Sequence, residues 1–385
     1  MQIVCAREPF PNSFTKSIFL AGPTPRSEDV QSWRPEAIRI LRMSGYDGVV
    51  FVPEDRSLPA KFSYMDQVEW ERQALEMADC ILFWVPRDLK TLPGFTTNIE
   101  FGLYARSGKI VFGAPPLAAH IDYPKWMCDK NYVTHKKTLR ETVATALEFV
   151  GTGILREGGE RYIPLCVWKV PSFQAWYQAQ KNVGNRIDGA SLEWTFRVGP
   201  QRDRIFFWVL HPNIHVASEN RNKRNDPIFG RPDISTVVMY CRGAELSDTR
   251  VVLIREFRLA ATTSDCFIHE VPGGSSRNPE IEPFDVALEE VYEEVGLELD
   301  RSRLSACGSR QIFGPYATHK AHVFAYELNS DEFVWIKSQE GKPHGADLDD
   351  PSGERAYIEI KTIKDILNEQ LVDWSTLGMI MSVLA

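Results

Sequence analysis

Strand-like and helix-like stretches alternate along the first 115 residues of the chain, and this alternation constrains the fold more than any other feature. The stretches follow one another at residues 17–21 (strand), 28–43 (helix), 49–52 (strand), 65–78 (helix), 80–85 (strand), 98–107 (helix) and 110–112 (strand). Strands that alternate with helices of this length form βαβ units, in which the strands are parallel. The pattern therefore predicts an α/β domain with a doubly wound parallel sheet.

The second half of the chain has a different pattern. From residue 204 onwards strand-like runs dominate, and one strong helix pattern interrupts them at residues 284–295, which favours an α+β domain. A chain of 385 residues is also longer than a single hydrophobic core normally supports. We therefore predict two domains, at residues 1–155 and 201–385. Residues 156–200 form a linker and a helix that the sequence assigns to neither.

The composition argues against several classes of function. A net charge of −8 is unfavourable for general binding to nucleic acid polymers, which are bound through Lys and Arg. No run approaches about 18 consecutive apolar residues, so we expect no membrane span. The first residues lack the pattern of a secretory signal, and the seven cysteines are scattered without metal-ligand spacing, as expected of reduced thiols. These features predict a cytoplasmic protein.

Three glutamates follow a Gly-Gly turn in the second half of the chain. Glu290, Glu293 and Glu294 are spaced i, i+3 and i+4, so a helix places them on one face. Carboxylates gathered in this way repel one another unless a cation neutralises them, and oxygen ligands suit Mg²⁺ or Mn²⁺ bound to a diphosphate. This makes Glu293 and Glu294 candidate catalytic residues as well as metal ligands. The alternative is a solvent-exposed acidic face, which would be the better interpretation without Gly273 and Gly274.

The segment resembles the Nudix box, in which a glycine, a glutamate and the helix REUxEExGU (U is aliphatic) follow at fixed spacing. Gly274 and Glu280 keep the first spacing, and residues 290–297 keep the last part of the motif. Glu289 stands where the family has Arg, and one extra residue precedes the helix. The resemblance covers residues 204–385 and implies a Nudix fold, a magnesium or manganese ion held by the three glutamates, and hydrolysis of a diphosphate.

The likeness continues in the strands before the box. The run VVLIREFR and the later segment FIHEVPGG resemble the ADP-ribose pyrophosphatase branch of the same family. That resemblance implies that Arg255 and Arg258 contact the substrate, that Glu270 lies near the metal, and that the Gly273 carbonyl adds a ligand. The alternative for each arginine is a surface salt bridge.

In the first half, two glutamates and a tight turn are candidates for a second site. The run FLAGP ends the first strand in a turn at Gly22 and Pro23, where the backbone can approach a ligand. Glu71 lies in the second helix pattern, and Glu100 lies in the first turn of the third, where the helix dipole favours its ionised form. Open α/β sheets bind ligands at this carboxyl edge. The alternative for Glu100 is that it only caps its helix.

The order of these pieces resembles the nucleoside 2-deoxyribosyltransferase superfamily, including its N-glycosidase members that act on nucleoside monophosphates. The resemblance covers about residues 16–112 and implies a flavodoxin- or Rossmann-like sheet. It implies that Glu100, with Gly102 completing the matching segment, attacks the anomeric carbon of the sugar. Glu71 matches the helix acid that contacts the sugar or donates a proton. The turn at residues 22–23 matches the part of the family's site that lies under the base or sugar.

Other positions near this site depart from the family pattern or are less specific. Phe19 stands where the family often has Tyr, and Gly94 stands where its members have Asp or Ser. Both are candidate substrate contacts, and these departures leave the choice between ribose and deoxyribose open. Asn98 either assists the reaction or caps its helix. Arg26 either binds a phosphate at the next helix N-terminus or is simply exposed to solvent.

Together these features predict a bifunctional enzyme of nucleotide metabolism that forms homodimers, as members of both families commonly do. The first domain would break or transfer an N-glycosidic bond. The second would hydrolyse a nucleoside diphosphate derivative such as ADP-ribose. The partners would be small nucleosides and nucleotides, not nucleic acid polymers or membranes. The alternative is a nucleotide-binding sensor in which one domain alone is catalytic.

Overall fold

The chain folds into two compact units, Met1–Gly230 and Arg231–Ala385. The computed structural model describes residues 1–27, 29–54, 64–276, 278, 281–345 and 353–385. Within these residues no helix is both long enough and apolar enough to cross a membrane.

The first unit is built around a six-stranded parallel sheet with helices between its strands. The elements of this part are β1 (Gln2–Cys5), β2 (Ser13–Phe14), β3 (Ser17–Ala21), α1 (Arg34–Met43), β4 (Val49–Val52), α2 (Tyr64–Met77), β5 (Cys80–Trp84), α3 (Phe95–Tyr104), β6 (Ile110–Gly113), α4 (Asp122–Lys130), β7 (His135–Lys136) and α5 (Leu139–Val150). The strand order is β1-β4-β3-β5-β6-β7, and every pair is parallel. This confirms the predicted α/β domain.

Both faces of this sheet are buried, which explains why its strands are continuous apolar runs. Successive residues of β3 point to opposite faces. Ile18 and Leu20 pack in a core cluster with residues of α1 and α5, such as Leu41 and Val143. Phe19 packs in the other cluster, with residues of α2 and α3. Phe19 is fully buried, so its side chain offers no surface to a ligand, in contrast to the predicted substrate contact.

A second, antiparallel sheet completes the first unit. Its part of the chain contains β8 (Arg156–Glu157), α6 (Leu165–Trp168), α7 (Pro171–Asn182), β9 (Arg186–Val198), β10 (Arg204–Val216), β11 (Arg221–Lys223) and β12 (Ile228–Gly230). β10 pairs with β9 along its whole length and also with β11 and β12. Phe173 of α7 packs edge-on against Trp208 of β10, with ring centroids 5.7 Å apart. Contacts thus group residues 201–230 with the first unit, whereas the sequence had suggested the second.

A buried ion pair fastens the segment after α5 to the amino edge of the parallel sheet. Arg156 donates to both carboxylate oxygens of Asp79, at 2.7 and 2.6 Å. The backbone amides of Ser17 and Leu165 donate to the same carboxylate at 2.9 and 2.8 Å. Both charged side chains are almost fully buried, and these bonds offset the cost of removing them from water.

The second unit is rich in β-sheet and carries helices on both faces. Its elements are β13 (Ile234–Cys241), β14 (Arg250–Phe257), β15 (Phe267–Glu270), β16 (Gly273–Gly274), α8 (Pro283–Val295), β17 (Ser305–Gln311), β18 (Lys320–Glu327), α9 (Ser330–Gln339), β19 (Pro343–His344), β20 (Ala356–Thr362), α10 (Ile363–Glu369) and α11 (Trp374–Leu384). The sheet order is β17-β18-β13-β14-β20-β19, with β15 paired to β14 and β16 to β13. Val291 of α8 belongs to one core cluster, and Ile380 of α11 belongs to the other.

Candidate active site

Helix α3 begins earlier than its apolar pattern indicated, and this changes the position of Glu100. The helix starts at Phe95, after Gly94, whose left-handed backbone (φ +61°) forms the N-cap. Glu100 therefore lies in the second turn, where the free N–H groups of the helix end no longer stabilise its charge. The prediction that it lies in the first turn or caps the helix was wrong. The pKa of Glu100 therefore depends on burial and on neighbouring charges rather than on the helix end.

Glu100 of α3 and Glu71 of α2 form a pair of partly buried carboxyl groups. Burial, followed by the negative charge of Glu71, raises the pKa of Glu100 to about 8. Burial also raises the pKa of Glu71, and a 2.8 Å hydrogen bond from the Gln67 amide opposes this by stabilising the charged form. Two carboxyl groups that repel in this way favour a state in which one of them is protonated.

The turn after β3 packs closely against the end of β5 and needs glycine to do so. A Cβ at Gly22 would lie 2.2 Å from the carbonyl oxygen of Trp84 at the end of β5, and its φ of +151° disfavours other residues. The indole N–H of Trp33 donates to the Pro23 carbonyl at 3.2 Å. A Cβ at Gly94 would be 3.2 Å from Cβ of Pro23, so the turn packs against the start of α3.

Arg34, the first residue of α1, is a component of this site that the sequence did not reveal. Its guanidinium donates to the carbonyls of Leu20 and Gly22 at 3.0 and 2.7 Å. It also donates to Glu54 at 2.6 Å, and its side chain is almost completely buried. No motif marks this residue, because a buried arginine and an exposed one look alike in a single sequence.

Asn98 and Arg26 lie at the edges of the site. The Asn98 side-chain oxygen accepts a hydrogen bond from Arg87, which also donates to the carbonyl of His120 at 3.0 Å. Arg87 is buried, and the sequence did not reveal it either. Arg26 is exposed and lies 5.5 Å from the ring centroid of Phe95, so it contacts the start of α3 rather than the next helix N-terminus.

In the second unit, two of the three predicted metal ligands turn towards the Gly-Gly strand. The carboxylate of Glu290 would lie 2.5 Å from a Cβ placed at Gly274. Glu294 accepts a hydrogen bond from the backbone N–H of Gly273 at 2.8 Å. Burial and then the charge of Glu293 raise the pKa of Glu290 to about 7, and burial raises the pKa of Glu294 well above its ordinary value. Glu293 itself is exposed.

Arg258 joins a second set of acidic groups beside this helix. It lies 2.9 Å from Glu256 and 3.2 Å from Glu270. Glu256 is buried, which raises its pKa to about 7, and the sequence did not mark it as a site residue. Arg255 instead pairs with Asp265 at 2.6 Å. The structure thus brings Arg258 and Glu270 together in one ion pair, whereas Arg255 is engaged in a separate one.

The donors of the second unit are oxygen atoms, as a magnesium or manganese ion requires. Across the described parts of the chain, no group of three or more His, Cys, Asp or Glu side chains is arranged to hold a metal ion. Of the three predicted ligands, Glu290 approaches Gly274 and Glu294 approaches Gly273. Glu280, the remaining acidic residue of the box, lies outside the described residues.

Comparison with known proteins bears on the first unit. The model of a family described as nucleoside 2-deoxyribosyltransferase like matches residues 15–117, about a quarter of the chain. None of the curated proteins matches the chain. The matched residues include the Gly22–Pro23 turn, Glu71 and Glu100, so the part of the chain that carries the carboxyl pair is similar to nucleoside 2-deoxyribosyltransferases.

Proposed function

We propose that the first unit breaks or transfers the N-glycosidic bond of a nucleoside or nucleotide. The observation that carries this proposal is the electrostatic coupling of Glu71 and Glu100, which lie on two different helices. Arg34, which donates to the Gly22 carbonyl in the turn at the carboxyl edge of the sheet, interacts with both. Ligands of open α/β sheets bind at this edge. The match of residues 15–117 to a nucleoside 2-deoxyribosyltransferase-like family supports the same chemistry.

The two carboxyl groups can divide the work of a retaining transfer. The ionised oxygen of Glu100 attacks C1′ and forms an ester, while the bond from C1′ to the base breaks and its electron pair leaves with the base. Glu71, when it holds the shared proton, donates that proton to the departing base nitrogen. Water or a second base then attacks C1′ and releases the Glu100 carboxylate.

Incubation of the pure protein with a panel of nucleosides and nucleoside monophosphates tests this function. Released bases and new nucleosides are identified by mass, first with water as the only acceptor and then with an added free base. Release that requires Glu100 supports the proposal. If no substrate of the panel loses its base, the first unit is not a glycosyl-transfer enzyme for these compounds.

A second candidate function belongs to the second unit: metal-dependent hydrolysis of a nucleoside diphosphate derivative such as ADP-ribose. It is favoured by the carboxylates of Glu290 and Glu294, which both meet the Gly273–Gly274 strand. These two, with Glu293 and the Gly273 carbonyl, would hold Mg²⁺ or Mn²⁺. The ion would neutralise charge on the diphosphate oxygens.

Within the second unit, Arg258 is the candidate contact for the anionic substrate. Its side chain is 37% exposed and already surrounded by Glu256 and Glu270, so a phosphate would compete with these carboxylates for the guanidinium. Release of monophosphates from a panel of nucleoside diphosphate derivatives, with and without Mg²⁺, tests this function separately from base release.

A further inference from the structure

All three nitrogens of the Arg34 guanidinium are engaged at the end of β3 and the turn that follows. Nε donates to Leu20 at 3.0 Å, and Nη2 donates to Gly22 at 2.7 Å. Nη1 donates to the Thr24 hydroxyl at 3.2 Å and to the Glu54 carboxylate at 2.6 Å. Only the planar fork of arginine can satisfy acceptors in several directions at once, since lysine offers a single point charge. Arg34 therefore fixes the backbone at the end of β3 and in the turn that follows.

The charge of the same guanidinium also interacts with the two carboxyl groups of Glu71 and Glu100. Burial lowers the pKa of Arg34, and the negative charges of Glu54, Glu100 and Glu71 oppose this, in that order. In return, the positive charge of Arg34 lowers the pKa of Glu100 and of Glu71 against the effect of burial. Tyr104, one turn further along α3, is also coupled to Glu100.

We propose that Arg34 is a positioning residue for the glycosyl transfer proposed above, on which this inference rests. It holds the Gly22–Pro23 turn in place through its three hydrogen bonds to Leu20, Gly22 and Thr24. Its positive charge also favours the ionised form of both carboxyl groups, against the effect of their partial burial. The negative charge of Glu54 limits this stabilisation of the carboxylates, because it offsets part of the positive charge of Arg34.

Two substitutions with opposite electrostatic effects test this role. Arg34→Gln removes the positive charge, so the pH at which Glu100 ionises rises. Glu54→Gln keeps an acceptor for Arg34 but removes a negative charge, so that pH falls. In the pH dependence of kcat/KM for base release, the ascending limb should move to higher pH in the first variant and to lower pH in the second. Each shift should be about half a pH unit or more, less than the 1–3 units typical of directly paired charges.

Arg34→Lys separates the two parts of the role. It keeps the charge and loses the fork, so kcat/KM should fall about tenfold or more while the limb stays within about 0.3 units of its wild-type position. Arg39→Gln is the matched control, because Arg39 lies on the same helix, is exposed and pairs with the exposed Glu36. It should change neither the limb nor kcat/KM.

A purely structural role predicts lower activity without a shift, or shifts in one direction for both variants, and either result overturns the proposal. If the wild-type protein releases no base from any substrate, the proposed reaction fails instead. The electrostatic role is then measured directly by ¹³C NMR titration of the Glu100 carboxyl in wild type and Glu54→Gln, with Glu100→Gln for assignment. The Glu54→Gln titration should lie at lower pH, and an unchanged or higher value overturns it.

Discussion

Glu71 on α2 and Glu100 on α3 interact although they belong to separate helices, and the charge of Glu71 adds to the effect of burial in raising the pKa of Glu100 to about 8. A carboxyl group with such a pKa holds its proton at neutral pH in a substantial fraction of molecules. Repulsion between the two groups favours one proton held between them, so the site can contain one proton donor and one carboxylate; in the reactive form Glu71 holds the proton and Glu100 is ionised. This is the combination that cleavage of an N-glycosidic bond requires.

Glu100→Gln should abolish base release, lowering its rate by about 1,000-fold or more, because an amide cannot form the ester intermediate. Glu71→Gln should reduce the rate less, by roughly 10- to 100-fold, because water can replace part of its proton transfer. Glu69→Gln, on the exposed side of α2, should leave the rate unchanged, since Glu69 pairs only with Arg72 and Gln73. Initial rates of base release decide this. A larger loss in Glu71→Gln than in Glu100→Gln would reverse the assigned roles.

The raised pKa of Glu100 also predicts how stability changes with pH. Below about pH 4.5 the group is protonated in both the folded and the unfolded state. Between pH 4.5 and about 8 the unfolded chain loses the proton and the folded protein keeps it, so the free energy of unfolding falls as pH rises. Above pH 8 both states are ionised and this change is complete.

Glu100→Gln removes this titration. Relative to the variant, the wild type should lose about 1–3 kcal/mol between pH 5 and 8, less than full conversion of the shift because the partly exposed site relaxes and is screened. Urea unfolding of both proteins at pH 5, 6.5 and 8 measures the difference. A stability difference that stays constant over this range would contradict the raised pKa.

Much of the fold follows from local patterns in the sequence. The runs SIFLA, VVFV and CILFW became strands of the parallel sheet because each is apolar on both faces. The strand β9, at residues 186–198, has no such signal. Its residues are mostly half-exposed, and three register irregularities interrupt its pairing with β10. Residues 186–198 form a strand only because they pair with β10. The sequence carries no local signal for that pairing, so it could not show that residues 201–230 belong to the first unit.

The candidate sites were predictable only in part, for a similar reason. Glu71, Glu100, Glu290 and Glu294 stand in recognisable motifs at fixed spacing. Arg34 and Glu256 belong to the candidate sites because they are buried, and the partners of Arg34 lie 10 to 20 residues away in the chain. No local pattern encodes either property.

For the second unit, Glu294→Gln should lower metal-dependent hydrolysis by about 100-fold or more while the fold survives. Glutamine keeps an oxygen that can accept the 2.8 Å bond from Gly273, so the change removes charge and little else. Rates of monophosphate release in Mg²⁺ and in excess chelator provide the measurement. Glu298→Gln, an exposed glutamate beyond α8, is the control. Full activity of Glu294→Gln, or of wild type in chelator, would remove the metal assignment.

Arg258→Ala should raise KM for the diphosphate substrate about tenfold with a smaller effect on kcat, because phosphate contacts act mainly on binding. Arg255→Ala should also raise KM if Arg255 leaves its ion pair with Asp265 to contact substrate. Steady-state kinetics of the two variants decide between substrate contact and surface salt bridge. If KM is unchanged in both variants, neither arginine contacts the substrate, and both only form the salt bridges seen in the structure.

The most direct test of the central claim is a covalent trap of the first unit. A 2′-fluorinated nucleoside slows breakdown of the glycosyl ester, so the intermediate accumulates and can be mapped by peptide mass spectrometry. We predict one equivalent of released base and a sugar adduct on the peptide that carries Glu100, absent from Glu100→Gln. Base release at the wild-type rate from Glu100→Ala, or an adduct on any other residue, would contradict the assignment of Glu100 as the nucleophile.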